Sequence, residues 1–242
     1  MKRKYLIFFM IMIMTGLFAQ DLDSLLAKYK ANQKQIQTFI GSGSSTVKMY
    51  HTDGTLIREM TSIMSLYLKH PDLLKLTTDK PVKSVIIQQG EYITQKIDGQ
   101  GGAVTTRVDE TNNVIKYYFG EWVADYADTS MLVASDTAVI NGKTLYRYQM
   151  DPGIEANAKT GINITRVDIY FNENGMPEKT VMFNDDKPMI ISETSYTNKN
   201  GIYVPRKIIS DTNTNGIQLK SEIIYNVISV NTEILDKEFD IR

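Results

Sequence analysis

Asp211, Asn213, Asn215 and Gly216, with Glu222 six residues after the glycine, match the calcium-loop expression D-x-[DN]-x-[DN]-G-x₅-E. In such a loop the side-chain oxygens close around one cation and the last carboxylate returns to it, with helices on either side. Here the flanking residues, Arg206-Lys207-Ile208-Ile209 and Leu219-Lys220-Ser221-Glu222-Ile223-Ile224, have the composition of strands. If 217–222 is extended, Glu222 lies roughly 20 Å from the turn, at about 3.3 Å per residue. It cannot then share an ion with Asp211. Gln218 also stands where these loops carry a small aliphatic residue. The segment reads as a polar hairpin tip, and no metal is assigned to it.

Other residue types that do chemistry are sparse. The two histidines, His51 and His70, lie near strand ends and form no H-E-x-x-H pair. Gly41-Ser42-Gly43 lacks the spacing of a nucleophile elbow. With no cysteine, thiol catalysis is impossible. The many carboxylates read as a solvated surface, so no catalytic residue and no cofactor is assigned. The chain is expected to bind rather than to catalyse. Its net charge of −1, without a basic stripe, speaks against nucleic acid as a partner.

Methionine is the unusual component, at 12 residues. Met49, Met60, Met64, Met131, Met150, Met182 and Met189 all lie beyond the N-terminal segment. Unbranched and polarizable, methionine moulds itself to irregular apolar partners, in a core or at an adaptable binding surface. Tyr117, Tyr118, Phe119, Trp122 and Tyr126 form an aromatic cluster. Phe119 and Trp122, at near-helical spacing, are candidates for a plug or lid over a ligand.

These side chains are positioned by a meander of strands. Six Asn-Gly or Asp-Gly pairs, beginning at Asp53, Asp98, Asn141, Asn174, Asn200 and Asn215, mark hairpin reversals between stretches rich in Val, Ile, Tyr and Thr. Strands are expected around 46–50, 56–69, 73–77, 85–89, 92–97, 144–150, 165–171, 178–184, 189–197, 204–211 and 217–230. In 56–69, Leu56, Met60, Met64, Leu66 and Leu68 fall on one face and Glu59, Thr61, Ser65 and Lys69 on the other. That alternation belongs to an antiparallel sheet with one wet side. An amphipathic helix precedes the strands, capped by Asp23 or Ser24, with Leu22, Leu25, Leu26, Tyr29, Ile36 and Phe39 near a 3.6-residue period. One or two short helices are expected within 113–136. A long twisted sheet tends to curl, and a curled sheet encloses space.

Lys2, Arg3 and Lys4 precede an apolar run over 5–14 that ends in small residues near Ala19. This is the layout of a secretory signal peptide cleaved near Ala19, and the run is short for a bilayer span. Removing residues 1–19 takes away three positive charges and moves the net charge from −1 to −4. Residues 20–242 are then read as a single domain, exported to a periplasm and stabilised without disulfides by its core alone.

The order of features resembles the outer-membrane lipoprotein-sorting proteins, the LolA-like superfamily. It rests on the leader, on the helix with Leu25, Leu26 and Tyr29, and on the run from Tyr67 to Leu76 containing Lys69-His70-Pro71. Gly90-Glu91-Tyr92-Ile93, Val230-Asn231 and Phe239-Asp240-Ile241 complete it. Lys75 stands where many members have Arg, and Tyr92 where the carrier itself has Trp. The resemblance implies an α+β fold, a curved antiparallel sheet of about eleven strands forming a half-open (LolA-like) β-barrel capped by short helices. It also implies a periplasmic carrier, a chaperone that shelters an acylated lipoprotein or lipid and passes it between inner- and outer-membrane transport partners. The alternative within this fold is a lipid- or lipoprotein-sensing regulatory protein. By alternation, the expected cavity lining is Val47, Met49, Met60, Met64 and Leu66 from the first two strands, and Leu74, Leu76 and Ile87 from the next two. Tyr146, Tyr148, Val167, Ile169 and Phe171 complete it from the second half. Because side chains alternate with period two, a one-residue register error turns any of these strands over.

Overall fold

The computed structural model describes residues 21–108, 113, 115, 123–153, 163–214 and 216–240. The leader read at 1–19 and the lid residues Phe119 and Trp122 lie outside the described residues. Helix α1 covers Leu22–Gln35, and its first turn is capped by Asp21, whose carboxylate accepts from the Asp23 amide. The cap therefore sits two residues ahead of the expected Asp23. Ile36 ends the helix in extended conformation, and Phe39 already belongs to the first strand. Leu22, Leu25, Leu26 and Tyr29 are buried along one stripe, as their spacing requires.

The strands are β1 (Thr38–His51), β2 (Leu56–Lys69), β3 (Leu73–Thr78), β4 (Ser84–Gln89), β5 (Tyr92–Ile97), β6 (Ala103–Arg107), β7 (Leu132–Ile140), β8 (Lys143–Met150), β9 (Arg166–Phe171), β10 (Pro177–Asn184), β11 (Lys187–Lys199), β12 (Ile202–Thr214) and β13 (Ile217–Val230). A four-residue helix α2 (Val123–Tyr126) precedes β7. The pairs at Asp53, Asp98, Asn141, Asn174 and Asn200 each connect two consecutive strands, and Gly216 lies between β12 and β13. At Asn141-Gly142 both residues have positive φ (51° and 77°), the geometry that matches a tight turn to the twist of its strands.

All pairings are antiparallel in one sheet of order β6-β5-β4-β3-β2-β1-β13-β12-β11-β10-β9-β8-β7. Two strands exceed the expected eleven, β6 and β7, and they are the two edges. β6 is exposed throughout and β7 nearly so, with Val139 75 % exposed. Neither carries the apolar alternation that marks a half-buried strand. Residues 132–136 of β7 are strand, although they fall within the segment 113–136 where the sequence predicts short helices.

One face of the sheet packs on α1. Leu22, Leu25 and Leu26 form a core with Tyr148, Met150, Val167, Ile169 and Phe171, joined by Val123, Tyr126 and Ala127. At its C-terminal end, Ile36 joins Phe39, Met64, Leu66, Leu68, Leu74, Leu76 and Tyr225. β3 and β9 are seven positions apart in the sheet, about 34 Å if it were flat, at about 4.8 Å per strand. A 14-residue helix is only about 21 Å long. The sheet therefore curls around α1, and with β6 and β7 unpaired to each other it stays open: a half-open barrel with a helical cap.

Two close approaches fix the curl. A Cβ on Gly41 would come within 2.7 Å of the rings of Phe39 and Tyr225, which meet edge to face at 5.6 Å. A Cβ on Gly43 would stand 1.7 Å from the Ile224 carbonyl oxygen, beside the register shift that pairs Gly43 with Tyr225. The expected first strand began only at Thr46. Residues 41–45 before it are strand as well, and Gly41 and Gly43 lack side chains where the neighbouring strand and rings occupy that space.

Candidate functional site

The two faces differ in kind around β1, β2 and β10–β13. The outer face carries cross-strand ion pairs: Lys48–Glu59 (3.2 Å), Lys179–Glu193 (2.8 Å), Lys207–Glu222 and Lys220–Asp211 (3.7 Å). Asp211 also accepts from Gln218 Nε2 at 2.9 Å. The calcium-like segment is thus a hairpin whose Asp211 and Glu222 engage different lysines. Among the described residues no three His, Asp or Glu side chains converge as a metal site would need.

The register assigns the inner face residue by residue. One rung runs Met60–Val47–Ser221–Ser210–Ser192–Thr180–Ile169–Tyr148 from β2 across to β8. The next, towards the β1–β2 hairpin, runs Met49–Leu219–Thr212–Ile190–Met182–Val167–Met150. Val47, Met49, Met60 and Leu219 are partly exposed and belong to neither core cluster. They form a contiguous apolar surface on the concave side that the protein's own core leaves uncovered.

Of the residues expected to line a cavity, three lie in this uncovered part: Val47, Met49 and Met60. Met64, Leu66, Leu74 and Leu76 are on the same face but packed into the core at the C-terminal end of α1. Tyr148, Val167, Ile169 and Phe171 are packed under its N-terminal end, with Tyr146 partly buried beside them. Ile87 is on the opposite face. It pairs with Lys75 and Thr94, while its neighbours Ile86 and Gln88 stand opposite Leu76 and Leu74. Val85, Ile86 and Ile87 are consecutive apolar residues, so alternation within β4 offered no phase, and the pairing to β3 supplies it. The outer face of β2 and β3 holds the C-terminal segment instead: Lys75 Nζ donates to Glu238 O at 2.5 Å and Lys69 Nζ to Asp236 Oδ1.

Leu219, Ile190 and the hydroxyl residues of the first rung were not singled out from sequence. In 217–225 the alternation Ile217, Leu219, Ser221, Ile223, Tyr225 is visible, but serine in the middle of it conceals the face. The inner face of β10–β13 carries no charged side chain along these two rungs; Arg58, opposite Met49, is the cation at the exposed rim. Burial beneath α1 raises the Tyr148 hydroxyl to a pKa of about 12. Tyr196, partly buried and donating to Pro177 O at 3.2 Å, is shifted well above the ordinary tyrosine value by desolvation.

No family model and no curated protein matches the sequence. Solved structures do match it in fold. A DUF1329 family protein from Desulfovibrio piger superposes with a TM-score of 0.58 at 10 % identity, covering 89 % of this chain and 97 % of that one. A LolA superfamily protein from Nitrosomonas europaea gives 0.54 at 13 % identity, over 92 % and 99 %. An outer membrane lipoprotein-sorting protein domain from Vibrio parahaemolyticus gives 0.55 at 8 % identity, over 91 % and 97 %. The chain is thus similar over nearly its whole length to LolA-superfamily structures, and its architecture is the half-open LolA-like barrel.

Proposed function

We propose that the protein is a periplasmic carrier. It takes the acyl chains of a lipoprotein or lipid onto the concave face and delivers them towards the outer membrane. The observation that carries this reading is the surface of Val47, Met49, Met60 and Leu219, apolar and partly exposed on the inner side of a curled sheet whose outer side is charged. Each CH₂ of an acyl chain costs about 0.8 kcal/mol in water, so passage across an aqueous compartment needs such a shelter. The likeness to a lipoprotein-sorting domain supports the cargo class. The N-terminal sequence supports export.

Native mass spectrometry of the gently purified protein tests this directly. A co-purifying lipid or acylated peptide is expected. A protein that carries none, and takes up neither an uncharged fluorescent probe nor a long-chain amphiphile, would refute the reading.

A further inference from the structure

Resting on that reading, we infer that the concave face holds a hydrogen-bonding row that recognises the uncharged polar junction of an amphiphile, an ester or amide carbonyl, rather than a free carboxylate. Ser221, Ser210, Ser192 and Thr180 stand side by side on β13, β12, β11 and β10, one from each strand in a single register row. At about 4.8 Å per strand the four hydroxyls span about 14 Å.

Both ends of the row are apolar, Val47 and Met60 on one side and Ile169 and Tyr148 on the other. The adjoining rung holds Leu219, Ile190 and Met182. Thr180 is only 4 % exposed and Ser192, Ser210 and Ser221 are partly exposed, and among the described residues none of the four hydroxyls has a hydrogen-bond partner. Four hydroxyls in one row on the inner face can donate to an acceptor laid along it.

The charges of these strands bear on which acceptor that is. Lys48, Glu59, Lys179, Glu193, Lys207, Asp211, Lys220 and Glu222 are all paired on the other face. Arg58, opposite Met49 at the exposed rim, stands outside the row, so a carboxylate drawn into the row itself would be desolvated without a cation in it, a large penalty. An ester carbonyl loses much less and gains a donor. The hydrocarbon would then lie over Val47, Met49, Met60 and Leu219, with its polar junction on the row.

Displacement of N-phenylnaphthylamine, an uncharged fluorophore, by monopalmitoylglycerol, palmitate and hexadecane tests this in the wild type and in the triple variant Ser192→Ala, Ser210→Ala, Ser221→Ala. Removing hydroxyls from the concave face is expected to leave the fold intact, which circular dichroism checks. Monopalmitoylglycerol is expected to bind the wild type more tightly than palmitate, and to lose roughly 10–100-fold in the variant, at about 0.5–1.5 kcal/mol per hydrogen bond. Fluorophore and hexadecane affinities should stay the same or rise. The inference is overturned if palmitate binds more tightly than the glyceride, or if the variant loses fluorophore and glyceride equally or neither. A wild type that binds the fluorophore but shows no glyceride preference defeats the inference alone; one that binds no apolar compound defeats the carrier reading with it.

Discussion

Asn32 and Tyr203 are bonded twice. The Asn32 amide donates to the Tyr203 carbonyl at 2.8 Å and accepts from the Tyr203 amide N–H at 2.7 Å. A side chain of α1 thus takes the place of a neighbouring strand beside the first residues of β12. The same helix meets the β9–β10 hairpin so closely that a Cβ on Gly175 would lie 2.5 Å from the Leu25 carbonyl oxygen. These contacts hold α1 across one end of the curled sheet and determine how much of the concave face remains open.

Asn32→Ala leaves both backbone groups of Tyr203 without their partner in a part-buried position. At about 1–3 kcal/mol for each unsatisfied group, the variant should lose roughly 2–6 kcal/mol in urea unfolding. A loss below about 0.5 kcal/mol would show that water replaces the amide freely.

Met60→Asp and Met64→Asp separate the binding surface from the core. Met60 is partly exposed beside Val47, so its variant should stay folded and lose apolar-probe binding by at least about tenfold. Met64 is 2 % exposed within the core, and an aspartate there should unfold the protein or lower its stability by several kcal/mol. Unchanged probe binding in a folded Met60→Asp variant would remove this surface from the site.

Only part of this division was legible in the sequence. Alternation placed Met60 and Met64 together on the inner face, and they do share it. What differs is the cover. Met64 lies beneath the end of α1, a matter of where a segment some thirty residues earlier comes to rest. Ile87 shows the opposite case: its strand has no alternation of its own, so its face was set by pairing with β3.

Gly43→Ala would place a methyl group 1.7 Å from the Ile224 carbonyl oxygen, closer than any backbone adjustment inside a paired strand absorbs cheaply. A loss of more than about 3 kcal/mol is expected by denaturant unfolding. Gly54→Ala serves as the comparison. That residue lies in a hairpin with nothing near its Cβ, and pays only for its positive φ, about 1–2 kcal/mol.

Tyr148 makes the fold sensitive to alkali. Its folded pKa, raised by burial to about 12 from the ordinary tyrosine value of about 10, means that the unfolded chain releases this proton first. The stability it contributes is complete below pH 10 and is lost as pH rises from about 10 to about 12. Phenolate absorbance should show a late-titrating fraction that coincides with unfolding. In Tyr148→Phe, stability should fall less steeply over that interval; an unchanged slope would place the alkaline sensitivity elsewhere, at Tyr196.

The sequence by itself determined the local geometry. Asn-Gly and Asp-Gly pairs turned the chain where positive φ was needed, and alternating side chains gave most inner strands a wet and a dry face. The stripe of leucines made α1 amphipathic. These are properties of neighbours along the chain, and short-range sterics and burial encode them. The tertiary structure alone decided the pairing of β1 with β13, the two exposed edges, and the covering of one part of the concave face while another was left bare. Those outcomes depend on contacts between residues far apart in sequence. An apolar side chain carries the same drive to leave water whether α1 or a ligand will cover it.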